Sequence, residues 1–156
     1  MNRNLVFVVF ICFVFSMLSA AGFCYANPAG MDTKIIVPVK GTPAERVKEL
    51  WRITSPIIVS DAKANYADKE YLKRRPPLFD AWATLQVKLS LENLKSPGPA
   101  YKNALKVIPE VLRVIDDLYG FPGNSKILRE KKRKNIRRII ITSGLPGLNR
   151  KINGLI

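Results

Sequence analysis

Eight of the thirteen residues from Lys126 to Arg138 are cationic, and Glu130 is the only acid among them. Lys126, Arg129, Lys131, Lys132, Arg133, Lys134, Arg137 and Arg138 together suit an acidic protein face, an anionic lipid headgroup or an acidic cell-wall polymer. On a helical wheel Leu128, Ile136, Ile139 and Ile140 gather on one side, but Arg129 and Lys132 fall inside that sector. The segment is therefore not a clean amphipathic membrane helix. Two readings stand side by side. In one, the helix is solvated and its apolar end, Ile139-Ile140-Ile141, packs on the rest of the domain. In the other, all eight cations form a partner-binding surface, because so many like charges in one short stretch repel one another. The block specifies the sign of the partner and not its identity.

Other chemistries are narrowed by what is missing. No Phe, Trp or Tyr follows Phe121, so the block lacks the stacking platforms of single-strand nucleic-acid grooves, and nucleic acid is a disfavoured partner. The chain has no histidine, and its two cysteines, Cys12 and Cys24, lie near the N-terminus. From residue 27 onward the usual zinc, copper and haem ligands are absent, and so are Ser/His and Cys/His nucleophile arrangements. No Asp-rich calcium loop and no Gly-rich phosphate loop occurs. Carboxylates are the one acid/base resource. Asp116 and Asp117 are adjacent, so on a helix they point about 100° apart and do not share a site. Asp68 and Glu70 read as surface charges, and a hydrolytic carboxylate pair drawn from two helices has no support in spacing. No cofactor, no metal and no enzymatic activity are expected.

The first 26 residues set the expected compartment. Arg3 precedes the apolar run Leu5 to Leu18, then small residues and the ending Cys24-Tyr25-Ala26. That order reads as a secretory signal peptide, residues 1–26. The uncharged stretch Leu5 to Ala26 is also long enough to span a bilayer, so an uncleaved anchor is the alternative. Phe23 disfavours lipoprotein processing at Cys24, and a cut after Ala21 would leave Cys24 a lone thiol. Each version places the body outside the cytoplasm, in a periplasm or secreted. The lack of a disulfide framework leans toward a bacterial envelope. After residue 26 the chain keeps 25 of its 26 Lys/Arg and all 12 Asp/Glu, a net charge of +13. Residues 126–156 carry +9 of this, from ten basic residues and one acid.

The elements that must hold the block read as all-α: a four- to five-helix bundle over residues 42–144, after an extended lead-in at 27–41. Thr42-Pro43-Ala44-Glu45 is a capping box with proline at the first helical position, and Ser55-Pro56 is expected to end that helix. A second, surface helix is expected over Asp61 to Lys73, stopped by Pro76-Pro77. A third, Leu78 to Leu94, carries two apolar faces: Leu78, Trp82, Leu85 and Leu89 on one, Ala83, Val87, Leu91 and Leu94 on the other. Two such faces predict a central helix with neighbours on both sides. A fourth helix, Ala100 to Tyr119, has a seam of Tyr101, Leu105, Ile108, Leu112, Ile115 and Tyr119, with a kink at Pro109 and a Schellman-type stop at Gly120-Phe121-Pro122. It should form an antiparallel hairpin with the third, and Lys106, Glu110 and Arg113 should form a charge ladder on it. A fifth helix runs from Ser125 to Thr142, and residues 145–156 are expected to pack loosely or be disordered. Trp51 and Trp82 are assigned to the core. On this scaffold the sequence points to a non-enzymatic envelope protein that binds or assembles with an acidic partner. Possible roles are a complex subunit, an accessory factor, or a protein in peripheral contact with a membrane. A membrane-active toxin is the alternative, and a carboxylate hydrolase the third.

Overall fold

The computed structural model describes residues 35–64, 66–120 and 126–156. The expected leader, residues 27–34 of the lead-in, the Schellman stop beyond Gly120 and the Ser125 cap lie outside these. Among the described residues the protein is all-helical, with no strand. In chain order the helices are α1 (Pro43–Lys63), α2 (Asp68–Lys95), α3 (Pro99–Tyr119), α4 (Lys126–Ile139), a π turn (Ile140–Gly144) and α5 (Leu145–Asn153). None is long and apolar enough to cross a membrane.

The capping box at the start of α1 is formed. The Thr42 hydroxyl accepts from the Glu45 N–H at 3.2 Å, and the Thr42 N–H donates to the Glu45 carboxylate at 2.7 Å. The bond from the Thr42 backbone, then that from its side chain, holds the Glu45 carboxyl below its ordinary value of 4.5. Because the folded value lies below the unfolded one, this contribution is present above pH 4.5 and fades as acid protonates Glu45 in the folded state. Thr42→Ala should lower unfolding free energy by about 1 kcal/mol, read from urea denaturation near neutral pH. An unchanged midpoint would mean that the cap does not hold α1.

Two proline expectations are corrected by the structure. Helix α1 does not end at Ser55-Pro56 but continues to Lys63. The face that carries Val47, Leu50, Trp51 and Thr54 is prolonged by Ile58, Asp61 and Ala62, all buried, while Pro56 lies exposed on the solvent side. The lost hydrogen bond therefore falls where water can satisfy the carbonyl. Likewise Pro76-Pro77 interrupts nothing: α2 runs through both, and the expected second and third helices are one helix. Its prolines directly follow ties to both neighbours, Arg74 to Asp61 of α1 at 2.9 Å and Arg75 to Asp116 of α3 at 3.0 Å. The true break is at residues 64–67, where Ala64 and Ala67 are extended.

Helices α2 and α3 form the expected antiparallel hairpin. The start of α2 meets the end of α3 through Arg75 and Asp116, and the end of α2 meets the start of α3 through Glu92 and the Tyr101 hydroxyl at 3.5 Å. The α3 seam is rotated relative to expectation. Ala104, Val107, Val111, Val114 and Leu118 are buried with Ile108, Ile115 and Tyr119, while Tyr101, Leu105 and Leu112 are only partly buried. The charge ladder is replaced by a tertiary pair, Glu110 with Lys151 of α5 at 2.6 Å. Trp51 and Trp82 lie in the core, edge to face with ring centres 6.3 Å apart. The Trp82 indole N–H donates to the Thr54 hydroxyl at 3.2 Å, and that hydroxyl donates to the Leu50 carbonyl.

The second apolar face of α2 is not a helix–helix contact. Val87 is 56%, Leu91 55% and Leu94 76% exposed, so α2 is an outer helix with one buried side. At the other end of the chain the correction runs the opposite way. Residues 145–156 are not a loose tail: they form α5 and bury Leu145, Leu148, Ile152 and Leu155. The π turn makes this possible. Its Leu145 N–H bonds to the Ile140 carbonyl five residues back, which inserts one residue into the helical register. A continued α-helix would turn Gly144, Gly147 and Lys151 inward after Ile140. With the extra residue, the inward stripe is Ile140, Leu145, Leu148, Ile152 and Leu155.

Candidate anion-binding surface

Helix α4 sorts its cations onto two sides. The inward side continues the stripe of Ile140 back through Ile136, and at that helical phase sit Arg133 and Arg137. Arg133 is 5% exposed. It donates to the Leu118 carbonyl at 3.1 Å and the Gly120 carbonyl at 3.2 Å, and its guanidinium lies 4.3 Å over the Tyr71 ring. These carbonyls close the C-terminal turn of α3, where the helix dipole is negative. Arg137 donates to the Ala64 carbonyl at 2.6 Å and the Tyr71 hydroxyl at 3.1 Å, so it closes the C-terminus of α1 in the same manner. Arg133 and Arg137 are thus helix clamps on the inward side, apart from the outward cations. They are drawn inward because two helix ends leave carbonyls there without intrahelical donors.

Lys131, Lys132, Lys134 and Arg138 are exposed. Lys131, Lys134 and Arg138 follow at i, i+3 and i+7 and share the outward side, with Lys132 beside them. Arg138 is steadied by Asn135 at 3.1 Å. Among the described residues no carboxylate lies within ion-pair distance of these four, whereas Arg46, Arg52, Lys73, Arg74, Arg75 and Lys151 each hold one. Glu130, the one acid of the block, is exposed. The side chains of Lys126 and Arg129 lie outside the described residues. The expected packing of Ile139-Ile140-Ile141 holds for Ile140 alone; Ile139 and Ile141 are exposed.

Behind α4 lies a polar cluster that sequence reasoning missed. Asp61 is 1% exposed. Its carboxylate accepts from Arg74 at 2.9 Å and from the Tyr119 hydroxyl at 2.8 Å. Burial, then the Asp61 charge and its hydrogen bond, push the Tyr119 hydroxyl far above its ordinary value, so it is a fixed donor. Tyr71 stacks edge to face on both Tyr66 and Tyr119, and its hydroxyl donates to the Ala64 carbonyl at 2.9 Å. Both Asp61 carboxylate oxygens are thus engaged, one by each donor. Among the described residues no three carboxylates gather in metal-binding range. Only one signal in the sequence marked this cluster. Asp61 occupies the helical phase of Thr54 and Ile58, but that phase was hidden by the supposed stop at Pro56.

A wide groove of about 500 Å³ runs between α1 and α5, bordered by Trp51, Pro56, Val59 and Leu145. The Trp51 indole N–H at its wall is already bonded to Asn149. The groove brings no cation of the α4 surface to it.

The described residues thus define an all-α bundle protein whose α4 presents an outward cationic face and an inward pair of arginine clamps. No protein-family model, no curated protein and no solved structure matches the chain.

Proposed function

We propose that this chain is an exported, non-enzymatic protein of the cell envelope that binds or assembles with an acidic partner through the outward face of α4. Its scaffold is a four- to five-helix bundle: four rods if the π turn joins α4 to α5, five if it divides them. One observation carries the reading. Lys131, Lys132, Lys134 and Arg138 sit together on one helix without carboxylate partners among the described residues, whereas Arg46, Arg74 and Arg75 each hold one. Like charges left uncompensated on a rigid element favour a partner that supplies the opposite sign. The non-enzymatic reading is supported by the fate of Asp61, the one buried carboxylate among the described residues, which is held by Arg74 and Tyr119.

Reversal of all four cations to Glu tests the surface. Recovery of the partner from envelope extract should fall about tenfold or more at low salt, while far-UV circular dichroism stays unchanged because none of the four is buried. Undiminished recovery would remove α4 as the binding face. A high-salt wash adds a second axis. A partner lost with salt is held by charge, and a stoichiometric one that survives is held by apolar contact as well.

A further inference from the structure

A second surface lies at the other end of the bundle, and nothing in the reading of α4 uses it. Val87, Leu91 and Leu94 follow at spacings of four and three on the side of α2 turned away from buried Leu85 and Leu89. The lead-in reaches the same end: the Arg46 guanidinium donates to the Pro38 carbonyl at 3.2 Å and to the Glu92 carboxylate at 2.7 Å. In that segment Ile35 and Val37 pack on the core, while Ile36 and Val39 are exposed. Five large apolar side chains thus stand in water at the end of the molecule where the chain enters the bundle. Lys40, Lys88 and Lys95 flank them, with no carboxylate in ion-pair distance among the described residues; of the acids at this end, Glu92 is held by Arg46 and Glu45 by the Thr42 N–H.

We propose that this end is a bilayer-docking surface. Ile36, Val39, Val87, Leu91 and Leu94 enter the interface of an anionic membrane, and Lys40, Lys88 and Lys95 meet lipid phosphates. Two observations select a bilayer. Apolar side chains flanked by lysines match the layering of a headgroup region over acyl chains. In the anchored alternative, the uncharged run Leu5 to Ala26 ends nine residues before Ile35, a chain length of about 30 Å at most, so the bundle is tethered close to a membrane by the end that carries this face. The α4 cations are far away. Arg46 and Ala64, which mark the two ends, are separated by 18 residues of α1, about 27 Å along the helix. Docking by the α2 end therefore leaves α4 turned to an acidic partner off the membrane.

The test is co-sedimentation of residues 27–156 with vesicles of equal parts phosphatidylglycerol and phosphatidylcholine. Among the described residues the buried core runs from Ala44 to Leu155, all within this chain, and vesicle binding without residues 1–26 belongs to the face and not to the leader. The unaltered protein should bind. Leu91→Asp with Leu94→Asp should weaken binding about tenfold or more, as should Ile36→Asp with Val39→Asp, whereas reversal of the four α4 cations should change it by less than about twofold. All these positions are exposed, and circular dichroism verifies that each variant folds. Three results would each overturn the proposal. These are failure of the unaltered chain to sediment, binding that follows the α4 cations and ignores both apolar pairs, and formation of a dimer split by Leu91→Asp with Leu94→Asp in place of vesicle binding.

Discussion

Asp61→Ala should destabilise the fold by about 3–5 kcal/mol, the range for removing one partner of a buried charge pair. The carboxylate is 1% exposed and joins three helices: its own α1, α2 through Arg74 and α3 through Tyr119. Its loss leaves the Arg74 guanidinium facing Tyr66 without its counter-charge, with the Arg74 Nε already buried and unbonded. The Tyr119 hydroxyl loses its acceptor in the same step, which leaves a buried donor unsatisfied. Urea unfolding measures the effect. Replacement of Asp61 and Arg74 together by Leu should be much milder than Asp61→Ala, because a missing ion pair in an apolar setting costs less than half of one. A loss below about 1 kcal/mol in Asp61→Ala would show that the cluster is not a tertiary tie.

Arg133→Ala should cost about 3 kcal/mol, whereas Lys134→Ala one position later should stay within about 0.5 kcal/mol. Arg133 holds two carbonyls at the C-terminal turn of α3 and covers the Tyr71 ring. Charged hydrogen bonds, the helix dipole and a desolvated cation–π contact act together there. Arg133→Lys should recover only part of the loss, since an ammonium cannot span Leu118 and Gly120 with a planar fork. The comparison is read from unfolding midpoints together with partner recovery. Arg133→Ala should lower stability before it lowers binding, and Lys134→Ala the reverse. Equal stability of the two variants would return Arg133 to the surface.

These expectations show where the sequence was legible. Local chemistry read well. The capping box formed because Thr42, Pro43 and Glu45 need only one another. Trp51 and Trp82 were assigned to the core on size and spacing alone. The α2–α3 hairpin followed from a short Ser-Pro-Gly link between two apolar periodicities. Proline read poorly, because its cost is local but its tolerance is tertiary. At Pro56 the ring faces water, and just before Pro76-Pro77 two arginine ties hold the helix to both neighbours. The two faces of α2 were read correctly as apolar, but apolarity alone does not reveal whether a neighbour exists.

The chain by itself determined an all-helical body, a cationic C-terminal third and the absence of histidine from every candidate chemistry, because these rest on composition and short-range periodicity. The tertiary structure decided which cations of the block face water. Arg133 and Arg137 were taken inward by the open carbonyls of α3 and α1, while Lys131, Lys132, Lys134 and Arg138 stayed in water. It also turned a Gly-rich tail into a packed helix, since one π turn shifts the stripe by a residue and only the core can reward that shift.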